Sequence, residues 1–156
     1  MKKTNAMRIL DKHKASYDII EYDISDDLID GVSVAHKIGE EASCVFKTLL
    51  LVGASKNHYV VMIAVNRSLN LKAVAKHFNE KKVEMIAVKD ILKLTGYVRG
   101  GCSPLGMKKA YKTLLDDDAF DHDYIVFSGG KKGLQIKMLT KDFVEIIKCE
   151  RKNVVA

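Results

Sequence analysis

One lysine stands in a run of residues that otherwise reads as the inside of a protein. In Val45-Phe46-Lys47-Thr48-Leu49-Leu50-Leu51 the β-branched and apolar residues predict a strand. Successive side chains of a strand point to opposite faces, so Lys47 shares a face with Val45, Leu49 and Leu51. Phe46, Thr48 and Leu50 take the other face. Both faces are largely apolar, which predicts a central strand. A lysine there either snorkels to the strand end or lines a pocket, because burying its charge without a partner is costly. In a pocket, such a cation can stabilise a developing oxyanion or hold a phosphate or a ribose.

Two glycine-rich segments could work beside it. Thr95–Gly106 holds four glycines, Gly96, Gly100, Gly101 and Gly106, and the only proline of the chain, Pro104. Glycine allows close backbone approach, and adjacent glycines can aim N–H groups at an anion or a carbonyl oxygen. The same composition also suits a plain structural loop. Ser128-Gly129-Gly130-Lys131-Lys132-Gly133 reads as a hairpin tip. Its serine could meet a substrate and its lysines a backbone phosphate, although lysines are common on exposed tips.

The elements that must position these groups alternate in a mixed order. Thr4 is placed to cap a first helix carrying Met7, Ile9 and Leu10 inward. Tyr17–Ile24 reads as a strand, and Ser33 as the cap of a short helix that Gly39 ends. Val45–Val52 and His58–Val65 predict a hairpin about the turn Gly53–Asn57. Asn70 caps a helix bearing Leu71, Val74, Ala75 and Phe78. Val83–Val88 alternates, Lys89–Leu94 is helical and is closed by Gly96, and a short strand lies near Tyr111–Leu115. Tyr124–Phe127 and Leu134–Met138 form a second hairpin. Thr140 caps a last helix with Phe143, Ile146 and Ile147 inward, and Glu150–Ala156 reads as a frayed tail. Hairpins interleaved with scattered helices predict an α+β fold, with a partly closed, barrel-like mixed sheet flanked by helices.

The bulk composition limits the function classes. A chain of 156 residues, 47% hydrophobic and 29% charged, predicts a single domain over residues 1–156 with one sizeable core. No apolar run spans a bilayer, and charged residues interrupt the N-terminal region, so a cytoplasmic protein is expected. The net charge of +6 favours a polyanionic partner. Cys44, Cys102 and Cys149 are odd in number and widely spaced, which predicts reduced thiols rather than disulfides or zinc. The sequence contains no GxSxG, HExxH, GxGxxG or P-loop pattern. Asp116-Asp117-Asp118 with Asp121 and Asp123 could bind a cation, or form a solvated loop entering a short helix. No metal and no cofactor are expected.

The segments Lys3–Arg8, Val45–Leu49, Leu69–Lys76, Lys81–Met85, Thr95–Gly106 and Ser128–Gly133 resemble the YbaK/EbsC family of aminoacyl-tRNA deacylases, which is related to the editing insertion domain of prolyl-tRNA synthetases. The FKTL segment and the TGY…GGxSPxG loop carry the resemblance together, and it runs along nearly the whole chain. It implies a pocket for the terminal adenosine of a tRNA and its attached amino acid. Lys47 matches the family's essential lysine. Gly100, Gly101 and Ser103 match the loop that shapes the pocket, and Tyr22 an aromatic residue lining it. Ser128 and Gly129 match the opening of the last hairpin. Gln135 stands where some members carry an acidic residue, so no carboxylate role carries over, and Arg99 is given none. The implied reaction is hydrolysis of a misacylated tRNA, Cys-tRNA(Pro) and also Cys-tRNA(Cys), without a protein nucleophile. The bound cysteine's own thiol attacks its ester and forms a cyclic thiolactone. Cys102 is expected to pack, and N–H groups near Gly100-Gly101 to bind the carbonyl oxygen. Lys108, Lys109, Lys131 and Lys132 would hold acceptor-stem phosphates. Prolyl-tRNA synthetase is the implied partner. A non-catalytic tRNA- or nucleotide-binding module and an accessory partner of that synthetase are the alternatives.

Overall fold

The structure, a computed structural model, describes residues 2–156. Among the described residues eight strands and five helices follow one another, with two short 3-10 turns at Ala42–Cys44 and Asp117–Asp121. A three-stranded antiparallel sheet is ordered β1 (Asp18–Glu21), β7 (Leu134–Leu139), β6 (Tyr124–Ser128). A five-stranded mixed sheet is ordered β4 (Val83–Met85), β2 (Phe46–Gly53), β3 (His58–Ala64), β5 (Lys112–Asp116), β8 (Glu150–Lys152). The helices are α1 (Asn5–Lys12), α2 (Gly31–Ile38), α3 (Leu71–His77), α4 (Val88–Thr95) and α5 (Thr140–Ile147). The α+β class is as expected. The strands form two open sheets rather than one curved toward closure, and an isolated parallel bridge between Val45 and Val126 links them.

Alternation along the paired strands explains the core. Met62 and Ala64 of β3 join Met7, Leu10, Phe46, Phe127, Ile136 and Phe143 in one cluster. Val61 and Ile63 point the other way, to Leu51, Val74, Leu114 and Val154 under α3. A strand apolar on both faces can be sealed only at the centre of a sheet, and β3 lies there, between β2 and β5.

The helix ends show where local chemistry competes. Thr4 caps α1, accepting the Met7 N–H at 3.2 Å, and Asn70 caps α3, accepting from Ala73 at 3.1 Å. Ser33 does not cap α2. The Asp30 carboxylate does so, accepting the Ser33 N–H at 3.1 Å, and the helix begins two residues before Ser33. Gly39 closes it with φ +72°, as expected. Thr140 is not a cap either. Its hydroxyl donates to the His122 carbonyl at 2.8 Å and ties α5 to the approach of β6.

The tail is not frayed. β8 pairs in parallel with β5, and Val154 is fully buried. The Val154 N–H donates to the Asp116 carboxylate at 2.8 Å, and the Val154 carbonyl accepts from Asn70 at 2.7 Å. Asp116 is itself buried. The acidic run therefore begins as an internal fastening of the C-terminal strand, and only its later members, paired with Arg151 and Arg67, lie at the surface.

Candidate active site

The site is built on the one stretch of β2 that lacks a partner strand on one side. Residues of an antiparallel pair alternately aim their peptide groups toward and away from the neighbour. The Val45 carbonyl accepts from Val65, and the Gly53 N–H donates to Asn57, so odd-numbered residues face β3. Even-numbered ones face away. At Leu50 and beyond they meet β4, where the Ile86 N–H donates to the Leu50 carbonyl at 3.0 Å. At the other end lies the bridge to Val126. Between these points the peptide groups of Thr48 open into a gap.

That gap is the mouth of a cavity of about 430 Å³, the size of a small-ligand site. Lys47 lines it half-buried, and its ammonium makes no ion pair with any described residue. The lysine neither snorkels to a partner nor packs away. Beside it the Thr48 hydroxyl is enclosed and has no hydrogen-bond partner among the described residues. Apolar walls come from Val34 and Ile29 on one side and from Met85, Val88 and Ile91 on the other. Val88 of α4 lines the cavity and is more than half exposed, which gives it an apolar lip.

The glycine loop and the second hairpin close the far side. Gly100 lines the cavity with φ +85°, a conformation that a β-carbon disfavours. At Gly101 an added Cβ would lie 2.8 Å from the Lys131 Cα and 3.0 Å from the Lys132 N, so the loop and the hairpin tip pack backbone against backbone. The Thr4 hydroxyl donates to the Gly129 carbonyl at 2.6 Å and fastens the tip from the N-terminal side. Tyr22 lines the cavity, its N–H donating to the Gly133 carbonyl at 3.0 Å.

The residues predicted from sequence divide into two groups. Lys47, Tyr22, Gly100 and Ser128 line the cavity together. Gly101, Ser103 and Gly129 are not in the lining and shape it from behind. Ser103 is fully buried, its hydroxyl accepting the Leu105 N–H at 3.3 Å. The expected pair of free N–H groups is not available at Gly100-Gly101. The Gly101 N–H is spent on the Val98 carbonyl at 3.0 Å, because the turn closes on itself, so only the Gly100 N–H remains unbonded there among the described residues. Lys131 and Lys132 are exposed, and Lys132 lies against Gly100. Lys108 and Lys109 are exposed and stand outside the lining, with Lys108 packed on Gly96.

Arg99, Thr48 and Gln135 also line the cavity and had no predicted role. Gln135 is only 6% exposed, an uncommon position for a free amide. The alternation of Leu134–Met138 puts it with Lys137 on the face opposite the core residues Leu134, Ile136 and Met138, so its burial was not legible there. Cys102 lines the cavity as well, and burial pushes its thiol up to about 11, which removes nucleophilic thiolate at neutral pH. No histidine lines the cavity, and Ser128 accepts the Gly130 N–H at 3.2 Å, so no hydroxyl in it has a paired base. Among the described residues no group of three or more His, Cys, Asp or Glu is arranged to hold a metal ion. Among the described residues no helix is long and apolar enough to cross a membrane. The arrangement suits a reaction whose substrate is already activated and needs holding and charge stabilisation.

Comparison with known proteins gives the same direction. The pattern of the aminoacyl-tRNA editing domain matches residues 30–146. A protein of Enterococcus faecalis carrying the name Cys-tRNA(Pro)/Cys-tRNA(Cys) deacylase EbsC is 45% identical over 136 residues, 87% of this chain and 83% of that one. A crystal structure of a hypothetical protein superposes with a TM-score of 0.89 at 16% identity, over 98% of this chain and all of the other. A second, described as a trans-editing enzyme for prolyl-tRNA synthetase, superposes with a TM-score of 0.84 at 18% identity, over 100% of this chain and 99% of the other. These two likenesses speak for the fold, and the sequence match for kinship. The chain belongs to the aminoacyl-tRNA editing domain family.

Proposed function

We propose that the chain hydrolyses the ester joining a wrongly attached amino acid to the 3′ end of a tRNA, with Cys-tRNA(Pro) as the leading substrate and Cys-tRNA(Cys) as the second. The observation that carries this reading is the unpaired Lys47 in a cavity open to solvent beside an unpartnered strand edge. An unpaired ammonium there can meet the negative charge that grows on the ester oxygens in the transition state, where such stabilisation accelerates the reaction most. The Gly100 N–H and the Thr48 peptide lie on the same cavity and supply donors for the carbonyl oxygen. The relative from Enterococcus faecalis carries the same substrate pair in its name.

The nucleophile comes from the substrate. With Cys102 held as a thiol and no base beside Ser128, the cysteine attached to the tRNA is the group positioned to attack. Its sulfur forms a bond to its own ester carbonyl carbon and the carbon–oxygen bond to the ribose breaks. The thiol proton goes to the departing ribose oxygen. The product is a cyclic thiolactone, which water opens to free cysteine.

The exposed Lys131 and Lys132, with Lys108 and Lys109 further out, suit the phosphates of the acceptor end. Phosphate contacts position a tRNA without reading it, so selection of tRNA(Pro) calls for prolyl-tRNA synthetase as partner. The setting of this work is the cytoplasm. The test is deacylation of Cys-tRNA(Pro), Ala-tRNA(Pro) and Cys-tRNA(Cys) by the wild type and Lys47→Ala. Release of cysteine that the variant loses supports the reading. Folded wild type that hydrolyses none of the three overturns it.

A further inference from the structure

We propose that the pocket takes its aminoacyl ester with the α-amino group uncharged, and that Gln135 is the residue that reads this group. The inference rests on the deacylase reading and deepens it. Its first support is the balance of charge. The lining contains two cations, Lys47 and Arg99, and no carboxylate. The rim adds Lys132, packed on Gly100. An ammonium entering this cavity meets like charge and finds no counter-ion.

The acidic groups nearby are committed elsewhere. Asp30 caps α2. Asp23 and Asp26, in the loop after β1, bond Ser25 and Lys37. Glu40 pairs with Lys137 of β7 at 2.9 Å. Asp18, Glu21 and Asp27 are exposed and none of them lines the cavity. The remaining titratable groups of the lining are Tyr22 and Cys102, and burial keeps the thiol neutral.

The second support is Gln135 itself. It sits between Ile20 of β1 and Ser128 of β6 in the sheet register, and its side chain makes no hydrogen bond to any described residue. The residue is largely buried, yet its amide is not enclosed as the Thr48 hydroxyl is, so its polar atoms are open to the cavity that it lines. Its Oε1 can accept an amine N–H and its Nε2–H can donate to the amine lone pair. A neutral amine satisfies both, whereas an ammonium has no lone pair to offer. An α-amino group titrates at about 7.7–8.0 at a free chain end, and the electron-withdrawing ester lowers this, so the preference acts near neutral pH.

The test is the pH profile of kcat/KM for the intact protein on aminoacyl-tRNA, from about pH 5.5 to about pH 8.5 to bracket the amine, after subtraction of uncatalysed hydrolysis. The expected wild-type profile falls about tenfold per pH unit on the acid side of the amine titration, with the loss in KM. The same tRNA carrying the matching 2-hydroxyacyl ester, which keeps the thiol and has no amine, gives a shallower fall, because only the thiol titrates. Gln135→Glu supplies a counter-ion for the ammonium and lifts the acid limb. An aminoacyl profile that is flat, or a hydroxyacyl profile with the same fall, overturns the inference while leaving the deacylase reading intact. The hydroxyacyl comparison uses only wild type and so decides the matter even if Gln135→Glu does not fold. Absence of hydrolysis at every pH removes the deacylase reading and this inference with it.

Discussion

The two halves of β2 are built from similar residues and treated in opposite ways. From Leu51 to Gly53 the strand is paired on both edges, by β3 and β4. Leu51 is fully buried, and the Glu80 carboxylate locks the following turn by accepting from the Ser55 N–H at 3.0 Å and from the Ser55 and Tyr59 hydroxyls. From Phe46 to Leu49 one edge is open, a cation has no counter-ion, and a hydroxyl has no partner. Fully satisfied groups give a rigid end from which the other half projects. Unsatisfied groups leave interactions available for a ligand. The strand is anchored at one end and reactive at the other.

The comparison can be broken most sharply at Lys47. Lys47→Ala should lower kcat/KM by about 10²–10³, the effect of removing one transition-state charge partner, while the thermal midpoint changes little because no ion pair or hydrogen bond is lost. A clear fall in stability would show that Lys47 belongs to the structural half. Gly101→Ala should come next. Overpacking against the Lys131 backbone costs about 1–3 kcal/mol, and activity should drop with it because the hairpin tip moves. An urea melt read beside the rate distinguishes the two effects.

The anchored half should respond to acid and not to substrate. Hydrogen bonds from Ser55 and Tyr59 hold the Glu80 carboxyl below the usual range. Its stabilising contribution is therefore complete above the unfolded value of about 4.3 and is lost as pH falls through the lower folded value. Glu80→Gln should be less stable than wild type at neutral pH, with the gap closing in acid and kcat unchanged. The smallest effect is expected at Thr48→Val. Replacing an enclosed, unpartnered hydroxyl by a methyl should shift stability by no more than about 1 kcal/mol, in the favourable direction. Any loss of rate would then mark contact with substrate.

These halves were not equally legible in the sequence. Alternation and turn chemistry revealed both hairpins and set a lysine among apolar residues, because those signals are local, but left open whether it snorkels or lines a pocket. The tail at Glu150–Ala156 misled, since polar residues on a short edge strand look like solvent-facing chain until Asp116 and Asn70, far away in sequence, accept and donate to Val154. Ser33 misled because Asp30 offers a stronger acceptor three residues earlier. Lys47, Gly100 and Ser128 were singled out from matching segments and Tyr22 from the family likeness alone, and all four line the cavity. Gln135 was noted only as a departure from a pattern. Its significance depends on the absence of carboxylates around the cavity, a property of the folded surface and not of any window of the chain.

The Thr4 hydroxyl on the Gly129 carbonyl joins residues 125 positions apart, and the wall of the cavity depends on it. Contacts between such distant residues are slow to form, because a long loop must close before they are rewarded. The core joins Met7 and Leu10 to Phe127 and Phe143 over the same span, so on dilution from denaturant burial of these aromatic side chains and deacylation should recover together.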